Sequence, residues 1–177
     1  GVVVVGPWRG LSKNLLSFKE TLRKWQSLSS WPIFADPLSG LSSDQPGLIS
    51  YWELLLASGC PMPKSGIQVL RLGPIPTSKV LNDWLLSLGG NQVLITEGET
   101  RKLDPLNISF QWNEGFENWL GMMERKDLIS QKINNLESIK LLDSFLDIDR
   151  IADTWLDEQL PLNGSISELN LARCLPR

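Results

Sequence analysis

Histidine is missing from all 177 residues, and its absence excludes more chemistry than any motif present supports. Without an imidazole there is no Ser-His-Asp or Cys-His catalysis, and the commonest general base and commonest zinc ligand are both gone. Cysteine is almost as scarce. Cys60 and Cys174 stand outside any CxxC or CxxH spacing, so they read as reduced thiols of a cytosol-like compartment rather than as a disulfide framework. A basic excess is lacking too. Seventeen Lys and Arg against 20 Asp and Glu give a formal charge of −3, which offers no positive field to nucleic acid or an anionic membrane. Neither partner is expected. Apolar stretches such as "VVVV" at 2–5 fall far short of the roughly 20 residues that span a bilayer, and no basic segment precedes them. A cytoplasmic chain is the expectation. An initiator methionine is also missing and Gly1 leads at once into a strand, as in a piece of a longer polypeptide.

What remains is ordinary globular material. Hydrophobic residues make up 42% and charged residues 21%, which supports one domain with a sizeable core and neither a disordered nor a fibrous class. "GVVVVG" is β-branched without polar alternation, the pattern of a strand covered on both faces of a parallel sheet. Leu15, Leu16, Phe18, Leu22, Trp25 and Leu28 follow at helical spacing. "WPIFAD" predicts a second strand ending at Asp36 and Pro37, and "ISYWELLLASG" a helix stopped by Gly59. "GIQVLRLG", "TSKVLNDWLLSLGG" and "NQVLITEG" supply strand, helix and strand, with Gly89 and Gly90 closing the helix. "LNISFQW" adds a fifth strand and "GFENWLGMM" a short helix. Strand and helix alternate over short connections, so a Rossmann-like α/β fold is predicted, a parallel sheet with helices on both faces. Three stretches result: an α/β domain over 1–127, a helical extension over 128–160 running away from the sheet, and a linker with one more helix over 161–177.

Motifs for cofactor chemistry are sparse. The first turn, "GPWRG", holds Gly6 and Gly10 but not G-x-G-x-x-G, and the phosphate loop G-x-x-x-x-G-K-[ST] is absent. Asp143 and Asp147 lie one helical turn apart, yet the apolar residues between them make a solvated helix face the better reading than a magnesium pair. Met122, Met123 and the eight tryptophans read as core or interface material. Lys79 is different. In "LRLGPIPTSKVLNDWL", Pro76 cannot sit inside a helix and Thr77 or Ser78 is a good N-cap, so Lys79 falls in a first turn where the helix dipole favours an acid. A lysine set against the dipole at the C-terminal edge of a parallel strand stands where open α/β sheets present ligands.

Several segments, taken in order, resemble one family. "VVVVGP", "WPIFADPLSGLSS", "ISYWELLLAS", "VLRLGPIPTSKVLNDWL", "VLITEG" with a following "LDP", and "ISELNLARCLP" are similar to the middle segment of the 2-succinyl-5-enolpyruvyl-6-hydroxy-3-cyclohexene-1-carboxylate synthases. The resemblance implies the central domain of a thiamine-diphosphate enzyme of menaquinone or phylloquinone biosynthesis. It implies flanking domains that bind the cofactor's pyrimidine and, through magnesium or manganese, its diphosphate, and a homo-oligomeric full-length protein. It implies a reaction too, in which 2-oxoglutarate is decarboxylated and the succinic semialdehyde unit is added to isochorismate. The activating glutamate and the G-D-G metal motif of such enzymes do not occur in these 177 residues. The chain alone is therefore expected to hold no cofactor, no metal and no catalytic residue. In the family, a basic residue at the position of Lys79 reaches towards substrate carboxylates, which makes Lys79 the candidate substrate-binding residue, with Thr77 and Ser78 beside it. Some members carry a Lys-Arg pair where this chain has Lys79-Val80. The alternative reading is a free-standing α/β nucleotide-binding or protein-interaction domain.

Overall fold

The structure is a computed structural model, and it describes residues 1–59, 66–88, 91–106, 108–126 and 136–160. Five parallel strands, β1 (Val2–Val5), β2 (Ile33–Ala35), β3 (Val69–Leu72), β4 (Gln92–Ile95) and β5 (Ser109–Trp112), pair in the order β2-β1-β3-β4-β5. The central strands carry no polar alternation because both faces are covered, and the four valines of β1 are wholly buried. On one face, Val3, Val5, Leu70, Leu72 and Ile95 meet α1 (Leu15–Ser29) and α4 (Phe116–Arg125) through Phe18, Leu22, Trp25, Phe116 and Trp119. On the other, Val2, Val4, Phe34 and Val69 meet α2 (Trp52–Ala57) and α3 (Lys79–Ser87) through Trp52, Leu55, Leu81, Trp84 and Leu85. This is the predicted α/β sandwich.

Tryptophan fills both layers. Trp25 packs edge-on to Trp31 and Trp119 with centroids 5.4 Å apart in each pair, and Phe34 stacks on Trp52 at 5.9 Å. Aromatic pairs of this kind contribute about 0.5 to 1.5 kcal/mol beyond their burial.

No helix intervenes between β4 and β5 among the described residues, and the dozen or so residues that separate these strands are about what a parallel connection needs. One feature departs from the prediction and corrects the extension. Residues 136–159 form one helix, α5 (Leu136–Gln159), which does not run away from the sheet: Phe145 is buried in the core with its ring 5.5 Å from that of Phe34. Asp149 and Asp153 then tie the helix to the start of α2. The Asp149 carboxylate accepts the backbone N–H groups of Ser50 (3.1 Å) and Tyr51 (2.7 Å), and the Tyr51 hydroxyl donates to Asp153. Periodicity showed a helix here but not which of its apolar residues would meet the sheet.

Gly59 has φ +73°, as a helix stop requires, and Asp36 accepts the Leu38 N–H at 2.8 Å in the turn that leaves β2. Cys60, Gly89, Gly90, the division at 127–128, Cys174 and the linker and helix predicted over 161–177 lie outside the described residues. Among the described residues no helix is long and apolar enough to cross a membrane.

Candidate functional site

The strand order reverses direction between β1 and β3, and the loops leaving these strands part to either side of the sheet. Open α/β sheets bind ligands in the crevice that forms there. A cavity of about 260 Å³ occupies this place, floored by Val5, Leu72, Ile95 and Phe18 and rimmed by Pro7, Trp8, Arg9, Thr96, Glu97 and Glu99. Gly6 is fixed by the crossing of the two loops, since a Cβ on it would lie 1.5 Å from the Pro74 carbonyl oxygen. Pro74 packs against Gly6 there, and the cavity is lined both by the first turn, from Gly6 to Gly10, and by the residues that follow β4, from Thr96 to Glu99.

Its carboxylates are already engaged. Glu97 accepts the Phe116 N–H at 3.0 Å and so caps α4, while Glu99 is gripped by Arg101 through contacts of 3.0 and 2.6 Å. Hydrogen bonds from the Arg101 side chain and backbone hold the Glu99 carboxyl down at about 2. The Thr96 hydroxyl lies 3.1 Å from the Glu99 carbonyl and 3.2 Å from Asn113 Oδ1. Arg9 is exposed at the rim, and Trp8 has a buried indole N–H without a hydrogen-bond partner. Nothing here pairs a nucleophile with a base.

Lys79 stands apart from this cavity. It is the exposed first residue of α3, and it forms no ion pair among the described residues. Ser78 is the N-cap: buried, extended, and accepting the Leu81 N–H at 3.3 Å. Its hydroxyl serves the helix, while Thr77 is exposed. Pro76 is buried beneath them, and its carbonyl accepts the Ser78 N–H at 2.9 Å. The turn thus holds the Lys79 backbone in a rigid seat and leaves its ammonium free in solvent. Asp143 is exposed, and Asp147 pairs with Arg150 at 3.0 Å on a solvated helix face. Among the described residues, no three His, Cys, Asp or Glu side chains gather where they could hold a metal ion.

Sequence reasoning missed the one buried charged pair among the described residues. Arg71, 1% exposed in the middle of β3, donates to Asp104 at 2.8 Å, and Asp104 also accepts the N–H groups of Leu106, Ile108 and Ser109 and the Ser109 hydroxyl. Burial pushes the Asp104 carboxyl up, but the hydrogen bonds from Ser109 and Arg71 and the Arg71 charge prevail and hold it at about 2. The pair anchors the helix-free crossover onto the sheet. A lone arginine within "VLRL" was the available signal, because a charge in a buried strand demands a counter-charge.

No family model matches the chain. A 2-succinyl-5-enolpyruvyl-6-hydroxy-3-cyclohexene-1-carboxylate synthase of Prochlorococcus marinus (strain MIT 9303) is 51% identical over 177 residues, all of this chain and 30% of that protein. The synthase of the same name from strain NATL2A is 48% identical over 181 residues, again covering the whole chain and 30% of the relative. One from Synechococcus sp. (strain CC9902) is 42% identical over 173 residues, or 97% of this chain and 29% of the relative. The chain spans about 30% of the length of these relatives. Its 177 residues match, along their whole length, one segment of the 2-succinyl-5-enolpyruvyl-6-hydroxy-3-cyclohexene-1-carboxylate synthases, as a partial domain of that enzyme does.

Proposed function

We propose that this chain is the central, non-catalytic domain of a cytoplasmic synthase that decarboxylates 2-oxoglutarate and adds the succinic semialdehyde unit to isochorismate, in menaquinone or phylloquinone biosynthesis. The observation that carries the reading is identity of 51% along the whole chain to under a third of a synthase of that name. The fold supports it, being an α/β unit in which the carboxylates beyond β4, Glu97 and Glu99, are spent on its own α4 and Arg101. Among the described residues no three His, Cys, Asp or Glu gather as metal ligands. The flanking domains of the same polypeptide hold thiamine diphosphate and its magnesium or manganese in this reading, and this chain lends Lys79, with Thr77 beside it, to a substrate carboxylate.

The test is an assay of the full-length protein with thiamine diphosphate, magnesium, 2-oxoglutarate and isochorismate. Carbon dioxide release coupled to isochorismate consumption is the expected result. No turnover of this pair of substrates by a folded, cofactor-loaded protein would overturn the reading.

A further inference from the structure

Helix α5 is apolar on two sides. Phe145 and its half-buried neighbours Leu141, Leu146 and Ile148 face the core, so a free-lying helix would be polar elsewhere. Instead Ile151 and Trp155, one turn apart, stand 66% and 54% exposed, and with Asp147, Arg150, Thr154 and Glu158 they line a shallow groove. An i, i+4 apolar ridge is the element that a second helix or loop packs against.

We infer that the Ile151–Trp155 ridge is a docking surface for another part of the same full-length polypeptide, lying outside these 177 residues. Two arguments select that occupant. The first is area: two side chains fall well short of the roughly 800 Å² per partner that holds separate chains together. A covalently connected partner needs less, because its effective concentration is already high. The second is length, since the relatives have more than two thirds of their residues outside the matched segment. The rim chooses the chemistry. Asp147 and Glu158 outnumber Arg150, which itself pairs with Asp147, so the docking segment brings apolar side chains edged by lysine, arginine or amides. The inference rests on the proposed place of this chain within a longer synthase.

Hydroxyl-radical footprinting of the full-length protein tests it, with mass-spectrometric readout of individual tryptophans. Trp84 and Trp119, each 9% exposed, serve as internal standards for a buried indole. Trp155 is expected to oxidise as slowly as these two, and to stay protected on dilution. Oxidation several times faster than Trp84 and Trp119 would overturn the docking surface. Protection that disappears as the protein dissociates on dilution would overturn it too, by assigning the ridge to a second copy. Synthase turnover of the same sample keeps the two readings separate: turnover with an exposed Trp155 removes only the docking surface, whereas a protected Trp155 without turnover removes only the synthase assignment.

Discussion

At the scale of single residues, the chain contrasts a cation left free with one sealed in. Lys79 heads α3, where its charge opposes the helix dipole, and no carboxylate among the described residues answers it. If the ammonium meets a substrate carboxylate, Lys79→Ala in the full-length synthase raises the KM for one acidic substrate by roughly tenfold, the equivalent of a charged hydrogen bond. Thiamine diphosphate affinity and melting temperature stay put, and Lys79→Arg recovers part of the loss. Unchanged kinetics in a slightly more stable protein would reduce Lys79 to a helix surface residue. Arg71 is the opposite case, because its counter-charge is inside the protein. The Asp104 carboxyl titrates near 2, below its ordinary 3.8, so its contribution to stability is complete above the ordinary carboxylate range and is lost as pH falls through the lower value. Asp104→Asn leaves Arg71 buried without a charge partner and costs about 3 to 5 kcal/mol near neutral pH. Melting curves of the two proteins should converge as pH falls from about 5 to 2, since the wild-type carboxyl then neutralises as well. A gap that holds constant with pH would show that the lost hydrogen bonds, not the ion pair, dominate.

Elements were more legible than their partners. Apolar runs and helical spacings marked all five strands and α1 to α4, because each is a local pattern in "VVVV", "WPIFAD" or "KVLNDWLL". A cap at Thr77 or Ser78 was readable for the same reason, and the structure uses Ser78, whose partner Leu81 lies only three residues on. Long-range contacts leave no such mark. Asp104 is 33 residues from Arg71, and Asp149 closes on Ser50 from 99 residues away, so neither the anchored crossover nor the docking of α5 could be read from spacing. The α5 seat yields a prediction of its own. Phe145→Ala removes the ring that packs against Phe34 and opens a cavity in the core, at a cost of about 3 to 5 kcal/mol. The same change on a helix that merely extended into solvent would cost less than about 0.5 kcal/mol. Denaturant unfolding of the two proteins measures the difference, and a near-neutral result would detach α5 from the core.

For the molecule as a whole, the candidate site was legible only as a place. The strand–turn–helix units pointed to the C-terminal edge of the sheet, but the cavity's lining of Trp8, Arg9, Thr96 and Glu97 is assembled from two loops that no local pattern connects. What that lining lacks is as informative as its position. A nucleotide needs free backbone N–H groups at the first turn, and there the Trp8 N–H is taken by the Leu38 carbonyl at 2.9 Å, the Gly6 N–H by Leu72 at 2.8 Å, and Pro74 sits over Gly6. A carbanion chemistry needs a cofactor site, and the acids at the rim already serve α4 and Arg101. The purified 177-residue chain should therefore neither decarboxylate 2-oxoglutarate nor consume isochorismate when given thiamine diphosphate and magnesium. Titration calorimetry with NAD, FAD and ADP should likewise show no tight binding. Turnover by the chain alone would mean that the catalytic machinery lies within these residues and that the central-domain reading is wrong. Tight binding of one nucleotide would instead favour a free-standing nucleotide-binding domain that shares the synthases' sequence but not their chemistry.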